Sequence, residues 1–370
     1  MIRLRRSSVL RLLEERPGAV ELEVEVEGQA ARALAYPALV GPVRPGDRVL
    51  LNTTAVWLGL GTGGLHFVVA VEGAGEGEAD GPGHTMKLRY TPQQVKVLAV
   101  EERDSPHRAA MEEATDLGGT PVVWVPLHSM VGPASAGARA AGATRVSYVM
   151  TDGAALPAAL SRVAARLRSE GLLDAVITAG QAFGGDLEAV NVLSGLLAAK
   201  FAAGADVIIV GDGPGNTGTG TVWGATDIQS AMSLNAASIL GGRPVAALRI
   251  SFADPRRRHR VVSHHAITAL SKVALQPVHV AVPAIEHGER RDAVWGRLKE
   301  AKLEERHQLV EVNGQPALDL LAERGIEVES MGRTPEDDPE FFLAAGSAGV
   351  LAGRMAAGDR AWQDSDSIPS

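Results

Sequence analysis

From Asp104 onward, short apolar runs alternate with alanine-rich stretches at helical spacing, and this alternation limits the fold more than any other feature of the chain. The runs are VVWVPLH, RVSYVMT, LDAVITA, DVIIVGD, PVAALRISF, VHVAVPA, LVEVN and IEVESM. Segments such as ALPAALSRVAARLRSEG, DLEAVNVLSGLLAAKFAAG, TDIQSAMSLNAASILGG and SHHAITALSKVAL stand between them. Near-continuous Val/Ile runs need burial on both faces, and repeated β–α alternation supplies it by laying helices on either side of a parallel sheet. The expected architecture over residues 103–357 is therefore a doubly wound, mostly parallel α/β domain of Rossmann-like type, with ADVIIV as a central strand.

The preceding residues, 1–102, have a different texture. ELEVEVEG alternates at period two, as a strand with one wet face does. PGDRVLLNTTAVWL, LHFVVAV, KLRYTP and VKVLAVEE add further short strands, and EGAGEGEADGPGH reads as an exposed loop tip, so a small β-barrel or sandwich is expected. The polar tail, 358–370, is expected to be disordered.

Composition removes several function classes. A formal net charge of −8 gives no whole-protein case for nucleic acid or an anionic membrane surface, and the basic run RRRHR lacks interleaved aromatics. The absence of cysteine excludes disulfides, thiolate metal sites and cysteine nucleophiles, and fits a cytoplasmic location. MIRLRRSSVLRLL has no apolar run long enough for a signal sequence, and no stretch offers the ~18 apolar residues of a membrane span.

The chemistry concentrates after two strands. In open α/β sheets ligands bind beyond the carboxyl ends of the strands, where GDGPGNTGTGT follows DVIIV. Glycines let backbone N–H groups close on an anion, which makes Gly213, Gly215 and Gly218, with Asn216, Thr217, Thr219 and Thr221, candidate ligand contacts. Asp212 is a candidate base, cation holder or ribose contact. Gly213, Gly215 and Gly218 match G-x-G-x-x-G, but the next helix is expected only near Asp227 and no acid stands about 20 residues on, so the dinucleotide template fits poorly. No Gly-Lys-Ser/Thr follows, which excludes a P-loop.

The second segment is RISFADPRRRHRVVSHH. Ser263 reads as a helix N-cap with His264 and His265 in the first turn, where they could serve as neutral bases or donors to an anion. Successive parallel strands end on one edge of the sheet, so this segment is expected to face the glycine-rich loop across one cleft. Asp254, at the end of its strand, and His128 in VPLHSM are further candidate contacts, and Arg249 and Arg256 to Arg258 could neutralise a phosphate or carboxylate. A metal could draw on Asp254, His259, His264 or His265, but adjacent helical histidines point about 100° apart and the spacing matches no strong metal motif, so no metal is assigned.

These motifs, together with PGDRVLLNTTAVWLGLGTGG, resemble a bacterial family known as domain of unknown function 3866, over nearly the whole chain. The resemblance implies a cytosolic bacterial protein and transfers no catalytic residue or cofactor. Two readings stay open: an enzyme, transferase or hydrolase, acting on a small anionic metabolite or nucleotide, and a metabolite-binding or assembly module without chemistry whose barrel pairs subunits.

Overall fold

The computed structural model describes residues 1–74, 81–286 and 288–359. The chain divides into two compact units, one from Met1 to Lys96 and one from Val97 onward. Part of the expected acidic loop, 75–80, and most of the expected tail, 360–370, lie outside the described residues.

The first unit is a closed barrel of β1 (Leu4–Arg16), β2 (Ala19–Val26), β3 (Gln29–Ala35), β4 (Arg48–Asn52) and β5 (Leu65–Val71), in the order β1-β2-β3-β5-β4. Only β3 and β5 run parallel. The order is not a simple meander, because β5 sits between β3 and β4. Register shifts near Val9 and Leu12 let the long β1 bend and pair with both β2 and β4, so that no edge is left unpaired. Val9, Leu22, Val24, Ala33, Val49, Leu51 and Val68 fill the interior. The strands expected from KLRYTP and VKVLAVEE do not join the barrel: β6 (Thr85–Lys87) and β7 (Val95–Val97) pair only with each other.

The second unit carries eight parallel strands. They are β8 (Pro121–Trp124), β9 (Val146–Thr151), β10 (Ala175–Ala179), β11 (Leu187–Ala189), β12 (Val207–Asp212) and β13 (Arg243–Ala247). After the short antiparallel pair β14 (Ile250–Ser251) and β15 (Val261–Val262) come β16 (His279–Pro283) and β17 (Gln308–Val312). The sheet order is β11-β10-β9-β12-β8-β13-β16-β17. Alternate side chains of one strand enter opposite cores: Ile208 and Val210 of β12 join Leu196, Leu234, Leu270 and Leu298, while Val207 and Ile209 join Met130, Leu167, Leu321 and Phe341. Full burial of those four β12 side chains contributes about 1.5–3 kcal/mol each, and it is the reason for the unbroken apolar run.

Two details differ from the sequence expectation. The segment Ile326–Met331 is not a strand, whereas Leu187–Ala189, embedded in a helical pattern, forms the edge strand β11. The longest helix, Pro339–Ala356, packs on Val131–Ala140 through small residues. A methyl group on Gly349 would collide with the Ala134 carbonyl, and one on Gly137 with that of Gly346. Small side chains thus let two backbones touch where larger ones would hold them apart.

β8 and β12 are neighbours whose connections leave in opposite directions. The helix after β8, Val131–Ala140, covers the face of Phe341, and the helices after β12 cover the face of Leu234. Adjacent strands with diverging connections open a crevice at their carboxyl ends.

Candidate functional site

A cavity of about 380 Å³ occupies that crevice. Its walls come from Leu127 to Ser129 after β8, Pro214 to Gly218 after β12, and the Arg249 to His265 segment after β13. The glycine-rich loop and the histidine–arginine segment therefore meet in one cleft, and a methyl group on Gly218 would lie 3.0 Å from His265 Cε1.

The loop divides by function. Gly215, Asn216, Thr217 and Gly218 line the cavity. Gly215 has φ +93°, a conformation that favours glycine. Gly213 instead sits beside the Ala155 carbonyl and Met150, where no side chain fits. Thr219 and Thr221 lie beyond the cavity in a tight turn: their hydroxyls are 3.0 Å apart, and the Gly224 carbonyl and N–H bond to Thr219 and Thr221 respectively.

Asp212 is turned into the base of the loop. Its Oδ1 accepts from Thr151 Oγ1 at 2.6 Å and from the Gly153 N–H at 3.1 Å, and its Oδ2 accepts from Asn216 Nδ2 at 3.1 Å. Burial raises its pKa to about 6, with the charges of Asp227 and Asp152 adding to it, against the lowering pull of Thr151 and the Gly153 N–H. The carboxylate braces Asn216 from behind and does not line the cavity. His128 lines the cavity, but its ring is tied at both nitrogens, to Tyr148 Oη at 3.2 Å and Ser161 Oγ at 2.7 Å. Burial pushes that ring down to about 4.

Positive charge gathers on the third wall. Buried Asp254 meets Arg256 at 2.8 Å, Arg249 at 3.2 Å and Arg333 at 3.7 Å. Burial opposes its ionisation, yet the hydrogen bonds and charge of Arg256 outweigh this and hold its carboxyl far below the usual carboxylate range. Asp254 thus anchors arginines, two of which, Arg249 and Arg256, line the cavity with Arg258. Arg249 is 4% exposed and its Nε has no hydrogen-bond partner among the described residues.

Three histidines converge beside these arginines. The ring centroids of His259, His264 and His265 lie 4.2–5.3 Å apart, and one ligand atom from each falls within 4.8 Å of the others. The 100° step between His264 and His265 fixes only where their Cβ atoms point, and both rings swing together at the start of the helix. The α-helix there, His264–Thr268, is only five residues long and continues as the π-turn Ala269–Val273, too short to supply the dipole expected of a full helix. Ser263 caps it by accepting from the His265 N–H. Burial, with Arg249, Arg256 and His265 adding to it, pushes His259 down to about 3, and burial likewise lowers His264.

Glu329, Ser330 and Met331 complete the rim, with Ser330 accepting from Ser129 Oγ at 3.0 Å. They come from the segment read as a strand in the sequence, and nothing in its pattern marks it as a wall of the site. Asp227, visible in the sequence only as a helix start, is a buried partner of His265.

No helix among the described residues is long and apolar enough to cross a membrane. No curated protein and no solved structure matches the chain. One family model, described as a protein of unknown function, spans residues 32–349, from inside the barrel to the last helix. With most of its length matched, the chain belongs to the DUF3866 family.

Proposed function

We propose that the cleft binds a small anionic metabolite, such as a phosphorylated compound or nucleotide, and that the protein acts on it as a transferase or hydrolase. The observation that carries the reading is the incompletely partnered arginine wall. Asp254 pairs with Arg249, Arg256 and Arg333, Asp338 with Arg333, and Asp227 acts on Arg249 from the same cavity, yet Arg249 Nε is buried with no hydrogen-bond partner among the described residues. A buried guanidinium lacking a full set of partners is costly, and a bound oxyanion would supply them. The cavity volume of about 380 Å³ falls within the range of small-molecule sites.

One feature favours the non-catalytic alternative. Asp212 and His128, two side chains that could move a proton, are engaged by hydrogen bonds within the protein. A metabolite-binding module needs donors only, whereas an enzyme needs a proton carrier in reach of the ligand.

Thermal-shift screening and calorimetry against inorganic phosphate, nucleotides, sugar phosphates and carboxylates test the reading. At least one anion is expected to stabilise the wild type, Arg258→Ala to weaken that binding, and Arg249→Met to abolish it. A panel in which no anion shifts the wild type removes the proposal. Turnover of the anion that binds would establish an enzyme, and binding without turnover a sensor.

A further inference from the structure

We propose that His259, His264 and His265 form a binding site for a divalent transition-metal ion of the zinc type, open on the side that faces the cleft. The first support is convergence, since three imidazoles from a 3-10 turn and the following helix start bring one ligand atom each within 4.8 Å of the others. The second is the state of the nitrogens. His264 Nε2 and His265 Nε2 are both buried and have no hydrogen-bond partner among the described residues, and His265 as a whole is only 4% exposed. Native proteins rarely leave such groups unmatched unless a water or an ion meets them.

The outer contacts fit the same purpose. His265 Nδ1 lies 2.9 Å from Asp227 Oδ2. An Nδ1–H that donates to this carboxylate leaves the lone pair on Nε2, which is the carboxylate–histidine arrangement that orients metal ligands. His259 Nδ1 lies 2.9 Å from Ser263 Oγ, so the nitrogen it has to offer is also Nε2.

The donor set selects the ion. Three imidazoles without a carboxylate suit zinc, cobalt, nickel or copper and disfavour magnesium and calcium, which take oxygen ligands. Three protein ligands leave a coordination position for water or an oxyanion, as open metal sites do. His259 and His265 line the cavity beside Gly218, which places that position next to the arginine wall. The inference does not depend on the anion proposal, because it concerns the ion alone.

The test uses untagged full-length protein, stripped with a chelator and titrated with Co²⁺ in the absence of any anionic ligand. Binding of one ion per chain is expected, with the intense visible bands of a tetrahedral nitrogen site that Zn²⁺ displaces and Mg²⁺ does not. Loss of an outer partner alone costs metal sites 10–100-fold, so His265→Ala and His259→Ala should weaken binding by more than about 100-fold. His264→Ala removes a ring whose Nε2 has no partner, so it should fold normally and still lose the tetrahedral spectrum. His107→Ala, which removes a histidine whose side chain makes no cap bond, is the control. Failure of the wild type to take up Co²⁺, or equal binding by wild type and His264→Ala, would overturn the proposal.

Discussion

Asp227 Oδ2 stands 2.9 Å from His265 Nδ1, with both side chains nearly closed off from solvent. The pair links the helix that follows the glycine-rich loop, Thr226–Ser230, to the helix that begins at His264. The two strand-end loops are thereby tied behind the cleft, and the imidazole is left one nitrogen to turn toward it.

Asp227→Asn keeps the size of that partner and removes its charge. A metal held by His265 should then bind about 10- to 100-fold more weakly, as loss of an outer carboxylate does elsewhere. Competition between the protein and a chromogenic Zn²⁺ chelator, for wild type and variant, measures the change directly.

Gly215 has φ +93° and no atom within 4 Å of the place where a Cβ would stand. Gly215→Val should therefore meet backbone strain and not collision, costing about 1–2 kcal/mol while the sheet persists. Anion-induced thermal shifts should shrink or vanish as the loop changes path. A variant that responds to anions like the wild type would show that the path of this loop is not needed for binding.

Asp212 carries a pH signature. Its pKa in the folded chain is raised to about 6, above the ordinary aspartate value of about 3.9, so the folded state keeps a proton that the unfolded chain has released. Stability should fall as pH rises from about 4 to about 6, by roughly 3 kcal/mol from this group. Asp212→Asn should flatten that part of the profile. Urea midpoints between pH 4 and pH 8 for the two proteins are the measurement, and parallel profiles would rule out the assignment.

At the interface of Val131–Ala140 and Pro339–Ala356, Gly349→Ala drives a methyl into the Ala134 carbonyl. Backbone cannot yield as a side-chain tip does, so overpacking of about 1–3 kcal/mol is expected. The loss should appear as a lower urea midpoint with the secondary-structure signal of the native state retained.

These positions also mark what the sequence could say. DVIIV reads as a central strand because its apolar run is unbroken, and the shared edge of successive parallel strands places the glycine-rich loop and His264 or His265 across one cleft. The pattern did not reveal Leu187–Ala189, a three-residue strand without a period of its own, or Pro339–Ala356, whose glycines serve close packing and weaken a helical signal. ELEVEVEG promised a wet face, yet Glu21 is buried beneath Arg32. Cβ directions 100° apart for His264 and His265 carry no information on where their rings swing, so the convergence of three imidazoles is not legible in the sequence. Glu329 to Met331 reach the rim through tertiary packing that no local pattern encodes.

The cleft draws His128, Asn216 and Arg249 from the ends of β8, β12 and β13; β8 precedes the other two by a long stretch of chain, yet lies between them in the sheet. Pairing of such distant segments must bear the loop-closure entropy before any contact rewards it, and it is slow for that reason. No fragment that ends before β13 can hold all three walls. A ligand of this site can reach only chains whose central sheet has already closed, so it acts by slowing unfolding and leaves the search for the native pairing unassisted.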